Sequence, residues 1–172
     1  DSDLEALIID SKKKFLLNDK SISSTRLYQI LPCVLFSPES LMAIKEGPQL
    51  RRELVDEIVV TINPVDAKLI SEYRKALRTR NQYLKQISEG QIHDEALLNS
   101  ITDVFIKKAV QLTNSRLQCL NELNRHLPDI MCAFTGKASL MAAVEYEISD
   151  RVANKWSESE IFDALRNRVA EL

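Results

Sequence analysis

Five basic side chains are concentrated in residues 71–85, where a single acidic residue opposes them. Long Arg and Lys side chains on a helix can neutralise phosphates and follow a nucleic-acid backbone without reading its bases. The same pattern is typical of the solvated face of a coiled coil, so both interpretations stay open. Arg80 is one of the five, and Arg116 adds charge farther along the chain. The candidate DNA-binding residues are Arg74, Lys75, Arg78, Lys85, Lys107 and Lys108.

A second basic pair, Arg51 and Arg52, lies in the first turns of a predicted helix. The helix dipole disfavours cations at this end unless an anion is nearby. A phosphate or an acidic partner would supply that anion, which makes the pair a candidate phosphate or partner contact. An ion pair between Arg52 and Asp56, one turn farther on, would explain Arg52 but not Arg51.

The chain shows no residue pattern for a catalytic centre or a metal site of its own. The three glycines are isolated, the three cysteines have no CxxC spacing, and the two histidines have no suitable partners nearby in sequence. Phosphate loops, metal sites and nucleophilic triads need such groupings. Ser37 and Glu39 follow a predicted strand, where they either end the strand or form a ligand-binding loop. We therefore expect no catalytic residue, no metal and no cofactor in this chain.

The first quarter of the chain has the alternating pattern of β-strands. Strands are predicted over residues 4–9 and 14–23, the second folded back at Asn18-Asp19. A third strand is predicted over residues 31–36, ending at Ser37-Pro38. A helix then begins at Gly47-Pro48 and runs to Ile62.

The middle of the chain has the spacing of a coiled coil. After Asn63 and Pro64, predicted as N-cap and first residue of a helix, apolar residues form a heptad seam that only Arg80-Asn81 interrupts. A polar turn at residues 88–91 precedes a second apolar stripe over residues 94–127, about 50 Å long as a helix. So short a connection requires antiparallel neighbours, which predicts a protruding helical arm.

The last part is predicted to return to strands. Residues 130–134 and 140–148 alternate around a turn at Thr135-Gly136, and a capping box at Ser157–Glu160 starts a final helix. The resulting fold class is α+β, mostly helical, with an antiparallel coiled-coil arm inserted between short β elements. We divide the chain into residues 1–46, strands and a connecting loop, residues 47–127, the helical arm, and residues 128–172, a β-hairpin and helix.

Composition sets the broader limits. The chain has 172 residues, is 45% hydrophobic and carries a formal net charge of −2, values typical of a globular protein. Its longest apolar run, residues 58–62, is far shorter than the roughly 20 residues of a membrane span. We therefore expect a cytoplasmic protein without membrane contact. The missing initiator Met and the abrupt ends suggest a piece of a longer chain.

Several short motifs occur in an order and spacing that closely resembles the bacterial RecF family of recombination mediators. The resemblance is specific over residues 31–85, looser from Leu127-Pro128 onward, and limited to helical character over residues 91–126. The motifs are the string from Leu31 to Leu41, Gly47-Pro48, Arg51-Arg52, Asp56, the string from Tyr73 to Leu77, and Arg80-Asn81.

The resemblance implies the middle of an ABC-type ATPase head related to structural-maintenance-of-chromosomes proteins, with the helical second lobe and the last strands of the first. RecF proteins dimerise on ATP, bind DNA at gaps and junctions, and work with RecO and RecR to load RecA. ATP, Mg²⁺ and a weak DNA-stimulated ATPase activity would belong to the parent protein, because the Walker A lysine, the signature serine and the Walker B carboxylates have no counterparts here. By position, Ser37 and Glu39 resemble a nucleotide-sensing loop between the lobes. The alternative is a coiled-coil protein-interaction module without direct DNA contact.

Overall fold

The computed structural model describes residues 3–9, 12–31, 42, 45–91, 94–137, 139 and 141–170. The chain divides into two compact units, residues 1–67 and 68–172. Helices dominate, and the strands form small antiparallel sheets, so the predicted α+β, mostly helical class is confirmed.

The first unit opens with a three-stranded antiparallel sheet. Its strands are β1 (Leu4–Ile9), β2 (Lys12–Leu17) and β3 (Lys20–Ile22), in that spatial order. Asn18 and Asp19 connect β2 to β3 with left-handed φ values of 48° and 64°. Short polar side chains tolerate this conformation, and two such residues match the twist of a tight hairpin. The predicted fold-back at this dipeptide is confirmed.

Two helices of the first unit have defined bounds within the described residues. The sequence interpretation missed α1 (Ser24–Ile30), whose N-cap Ser23 accepts a hydrogen bond from the Arg26 N–H at 3.2 Å. Leu31, the first residue of the predicted third strand, is the C-cap of this helix, and residues 32–36 of that strand lie outside the described residues. Helix α2 (Pro48–Ile62) begins with a proline at its first position, as predicted.

The start of the next helix differs from the prediction. Asn63 is the C-cap of α2, because its N–H donates to the Val59 carbonyl at 2.8 Å. The Asn63 carbonyl in turn accepts from the Asp66 N–H at 3.0 Å, so these residues form a turn between two helices. Helix α3 (Asp66–Ser88) therefore begins two residues after Pro64.

The predicted turn at residues 88–91 is confirmed and has the geometry of a Schellman cap. The Gln91 N–H donates to the Gln86 carbonyl and the Gly90 N–H to the Ile87 carbonyl, both at 3.0 Å. Gly90 has a φ of 70°, which a residue without Cβ adopts without strain. Helix α4 (Glu95–Thr135) follows, and its N-cap Asp94 accepts from the Leu97 N–H at 2.9 Å.

Helix α4 continues through Pro128, which corrects the predicted strand over residues 130–134. Its end is the Thr135-Gly136 pair that the sequence interpretation assigned to a hairpin turn. Gly136 has a φ of 67°, and its N–H donates to the Cys132 carbonyl at 2.8 Å. A left-handed glycine ends a helix as readily as it turns a hairpin, and a short apolar run fits either element. Local sequence therefore could not distinguish a strand with a hairpin turn from the last turns of a helix.

The actual hairpin lies farther along the chain. It consists of β4 (Glu147–Ile148) and β5 (Arg151–Val152), joined by Ser149 and Asp150 with φ values of 50° and 60°. Helix α5 (Glu158–Ala170) begins with the predicted capping box. The Ser157 N–H donates to the Glu160 carboxylate at 2.7 Å, and the Glu160 N–H donates to the Ser157 hydroxyl at 3.3 Å.

The core of the second unit lies where α4, the β4–β5 hairpin and α5 meet. Partly buried aromatic residues, among them Tyr146, Trp156 and Phe162, pack around it. Within the described part of the chain, no helix is both long and apolar enough to cross a membrane. The buried core residues are Ile106, Val110, Leu117, Ile148, Ala153 and Ile161.

Candidate nucleic-acid interface

Arg80 lies inside the helical hairpin formed by α3 and α4 and is only 7% exposed. Its Nε donates to the Thr102 hydroxyl at 3.3 Å, and its guanidinium lies 5.7 Å from the centre of the Phe105 ring. Burial lowers the pKa of Arg80, but a guanidinium stays protonated in proteins. Arg80 therefore joins the two helices, and the interruption in the heptad pattern marks a buried cation.

Other contacts fix the register of the hairpin on either side of Arg80. Toward the tip, the Tyr83 hydroxyl donates to the Asp94 carbonyl at 3.1 Å. Toward the base, the Tyr73 and Phe105 rings lie 5.9 Å apart. Residues nearer the C-terminus of α3 contact residues nearer the N-terminus of α4. The helices are therefore antiparallel neighbours, as the short connection predicted.

The predicted DNA-binding residues are distributed over the outside of this hairpin. Arg74, Arg78 and Lys85 follow one another at intervals of four and seven residues, which places them on one face of α3. Lys75 is also exposed but lies about 100° around the helix from Arg74. On α4, Lys107 is exposed, whereas Lys108 is half-buried.

Carboxylates engage some of these cations. The Lys108 Nζ lies 2.7 Å from a Glu72 carboxylate oxygen, and the Lys68 Nζ lies 3.9 Å from the other. The hydrogen bond and charge of Lys108, with a smaller effect of Lys68, lower the pKa of Glu72 against an opposing effect of desolvation. Lys85 pairs with Glu89 at 3.7 Å.

Three of the predicted cations have no such partner within the part of the chain that the structure describes. Among the residues that the structure describes, Lys75, Arg78 and Lys107 form no ion pair. An exposed cation without an internal carboxylate is available to an external anion. A bound phosphate would contact these three residues without displacing a carboxylate among the described residues.

Arg116 lies in the interior and does not extend the basic surface. It is 6% exposed, and its Nη1 donates to the Tyr146 hydroxyl at 3.2 Å. This contact ties α4 to the segment that precedes β4. Together with Arg80, it shows that two of the cations that sequence reasoning added to the basic stripe hold the second unit together.

The Arg51–Arg52 pair belongs to the first unit. Arg51 donates from Nη1 to the Glu46 carbonyl at 2.7 Å, which ties it to the segment leading into α2 and gives its charge a local acceptor. Arg52 is exposed, and Asp56 is buried. Ser37 and Glu39, the predicted nucleotide-sensing loop, lie outside the described residues.

The structure adds a feature that charge patterns did not indicate, an open groove of about 440 Å³ along one side of the hairpin. We call it the hairpin groove. Apolar and small side chains dominate its walls. The sequence carried one signal for an apolar surface here, since Leu97 and Val104 lie seven residues apart on the same helix face. Both side chains are exposed in the structure. The lining residues are Glu72, Lys75, Ala76 and Thr79 of α3 and Ser100, Ile101, Val104 and Lys108 of α4.

The described part of the hairpin thus combines exposed cations with an open groove. Among the described residues, no group of three or more His, Cys, Asp or Glu side chains is placed to hold a metal ion. The chemistry that the surface offers is charge and apolar contact.

Sequence comparison identifies relatives of the whole chain. The chain is 30% identical over 173 residues to the DNA replication and repair protein RecF of Lactobacillus delbrueckii subsp. bulgaricus, covering 99% of this chain and 45% of that protein. It is 33% identical over 172 residues to the protein of the same name from Geobacillus kaustophilus, covering 98% of this chain and 45% of that relative. The chain matches no protein-family model.

Comparison of structures gives the same result. A solved structure described as the recombination mediator protein RecF-ATPrS in the RecFOR pathway superposes with a TM-score of 0.76 and 25% identity, over 98% of this chain and 45% of that one. The predicted resemblance to RecF is therefore confirmed over nearly the whole chain. The chain spans about 45% of the length of the curated relatives it matches.

Proposed function

We propose that this chain supplies the helical lobe of a RecF-like DNA repair and recombination protein, and that its hairpin contacts DNA phosphates. The similarity to RecF supports the process. The observation that carries the DNA contact is the set of exposed cations without ion-pair partners among the described residues, Lys75, Arg78 and Lys107. Backbone contacts of this type contribute affinity and orientation and do not read sequence.

The hairpin supports such contacts because it holds the cations at fixed positions along a helix. From Arg74 to Lys85 is eleven residues, or about 16 Å of helix, which matches the rise of about five nucleotides along one DNA strand. The contacts of Arg80 and Tyr83 with α4 keep this part of α3 in place. Lys85 would exchange its exposed partner Glu89 for a phosphate, and Lys108 would add charge beside Glu72.

For the whole protein, the proposal includes ATP-dependent binding to gapped or junction DNA in the cytoplasm, with RecO and RecR as partners in loading RecA. ATP and Mg²⁺ would bind outside this chain, where a weak ATPase activity and ATP-dependent dimerisation would also belong. Arg51 and Arg52 would contact a phosphate or a partner, and Ser37 and Glu39 would sense the nucleotide.

The test is a charge reversal of two of these three cations, Lys75→Glu with Arg78→Glu, in the whole protein. Affinity for a gapped duplex is measured by fluorescence anisotropy between 50 and 300 mM salt. We expect binding to weaken at least tenfold at low salt, and the slope of log K against log salt to become shallower by about 2. The control is Lys12→Glu with Lys14→Glu, the same charge change on exposed residues of β2. Unchanged affinity and slope in the hairpin variant would refute the DNA contact.

A second candidate function, a protein-interaction module without direct DNA contact, is favoured by the hairpin groove. In that case the isolated chain would bind RecR or a second copy of itself, and its affinity for DNA would be negligible at every salt concentration. The anisotropy series and a pull-down with purified RecR separate the two functions.

A further inference from the structure

The hairpin groove exposes apolar surface where two neighbouring helices would normally close together. Ala76 and Thr79 form one wall, and Ile101 and Val104 form the other. Val104 lines the hairpin groove, and its side chain is 55% exposed. The bulky side chains that join the helices, such as Tyr73 and Phe105, are large enough to hold the two backbones apart. The groove thus offers a ready apolar contact surface.

The dimensions of the groove suit a helix. Its lining runs from Glu72 to Thr79 on α3 and from Ser100 to Lys108 on α4, a length of about two helical turns. A helix that lies in such a groove inserts apolar side chains at positions i, i+3 or i+4, and i+7. Exposed Leu97 continues the apolar side of α4 by one more turn toward the tip.

The charge around the groove is positive. Glu72 is the one carboxylate among the lining residues, and both Lys108 and Lys68 engage it. Lys75 stands on the same rim without an ion pair among the described residues. A carboxylate on the occupant would therefore meet an available lysine, whereas a basic occupant would face Lys75 and Lys108.

We propose that the hairpin groove binds an acidic amphipathic helix of a partner protein. Its apolar side chains enter between Ala76 and Val104, and a flanking Glu or Asp pairs with Lys75. The apolar part of the groove is separate from the proposed DNA contact, because Ala76 and Val104 lie to the side of the face that carries Arg74, Arg78 and Lys85, and Lys75 is shared by the two proposals. The chemistry of the walls favours a helix over nucleic acid, because the described residues that line the groove include no aromatic side chain to stack on a base. A second copy of this chain fits less well, since a two-fold contact would place its basic rim against itself.

The experiment selects ligands for the chain from a displayed library of 20-residue amphipathic helices whose flanks are acidic, neutral or basic. We expect enrichment of sequences with apolar residues at i, i+3 or i+4, and i+7 and with Glu or Asp beside them. Fluorescence anisotropy with a selected peptide should show about tenfold weaker binding to Val104→Gln and to Lys75→Glu. The matched control Arg78→Glu, an exposed cation three residues from Lys75, should bind as the wild type does.

Several results would overturn the proposal. They are no enrichment over the starting library, selection of neutral or basic flanks, and peptides whose binding is insensitive to Val104→Gln. Dimerisation in analytical ultracentrifugation that Val104→Gln abolishes would assign the groove to a second copy instead. Val104→Gln changes no charge, so its affinity for DNA should equal that of the wild type even if the peptide no longer binds. Failure of this proposal is thereby distinguishable from failure of the DNA contact.

Discussion

The two ends of the second unit are stabilised by different chemistry. At the base, α4, α5 and the β4–β5 hairpin enclose aliphatic side chains, and Ile106 and Ile161 are almost completely buried. In the outer hairpin, α3 and α4 join through Arg80, Tyr83 and a ring contact, and a groove stays open beside them. Two helices alone cannot enclose a core, so the outer part uses large side chains with polar ends to bridge the space.

Because of this difference, we expect stability to depend mainly on the base and contacts with other molecules to depend mainly on the outer hairpin. Apolar burial grows with the number of elements that share a core, so the base is expected to hold most of the free energy of unfolding. The outer hairpin retains exposed cations and an apolar groove, the features on which the two proposed contacts depend. Substitutions should therefore have large effects on stability at the base and smaller ones toward the tip.

The largest effect is expected for Ile161→Ala. The side chain is 0% exposed and belongs to the core formed by α4 and the β4–β5 hairpin. Removing three carbons from such a place destabilises a protein by about 2–5 kcal/mol, through lost burial and a cavity. Urea unfolding followed by circular dichroism measures the change. Leu97→Ala, on an exposed position of the outer hairpin, is the control and should change the free energy of unfolding by less than about 1 kcal/mol.

A smaller loss is expected for Arg80→Ala. The substitution removes the hydrogen bond to Thr102 and the stacking of the guanidinium over Phe105, and it opens space between the helices. We expect destabilisation of about 1–3 kcal/mol, in the range of a buried polar contact. The matched control is Arg78→Ala, an exposed arginine two residues away, which should stay within about 0.5 kcal/mol of the wild type. Equal effects of the two substitutions would show that the outer hairpin does not depend on Arg80.

The sequence predicts the outer hairpin well because its signals are local. The Gly90 turn and the apolar stripe on each helix act within a few residues, and both appear in the structure. The heptad seam marks position 80, but residue type alone could not show which of the basic side chains is buried. Arg80 and Arg78 are the same residue type two positions apart, yet only the packing of Phe105 and Thr102 decides that one is buried.

The sequence predicts the base less well because contacts between distant residues decide it. Thr135-Gly136 satisfied the rules for a turn but caps a helix, and the hairpin formed instead at Ser149-Asp150. Asn124 exchanges two hydrogen bonds with the backbone of Val144, at 2.9 and 2.7 Å, and so binds the returning chain to α4. A contact across twenty residues leaves no periodic pattern in the sequence. The candidate cations were predictable as a group, whereas the groove required the spacing between two helices.

A further test at the base concerns the capping box of α5. Ser157→Ala removes the hydroxyl that accepts from the Glu160 N–H and should destabilise the chain by about 1 kcal/mol. The hydrogen bond from the Ser157 N–H and, to a smaller extent, the one from its hydroxyl lower the pKa of Glu160. A lowered pKa stabilises the fold above the ordinary carboxyl range, and this contribution is lost as the pH falls through that range toward the folded-state pKa. Thermal unfolding at pH 7 and pH 3 should therefore show a smaller difference between variant and wild type at the lower pH.

The smallest effect is expected in the outer hairpin, at the ion pair between Glu72 and Lys108. Its hydrogen bond and charge lower the pKa of Glu72, so the pair stabilises the hairpin above the ordinary carboxyl pKa, and this contribution is lost as the pH falls through the lowered value. In Lys108→Met, NMR titration of the Glu72 carboxyl should show a pKa that returns toward its ordinary value. Lys107→Met, the adjacent exposed lysine, should leave it unchanged. Because the pair is open to solvent, 1 M salt should reduce the difference between wild type and Lys108→Met. A Glu72 pKa that responds neither to Lys108→Met nor to salt would mean that the carboxylate is not paired with Lys108 and leaves an uncompensated negative charge at the groove rim.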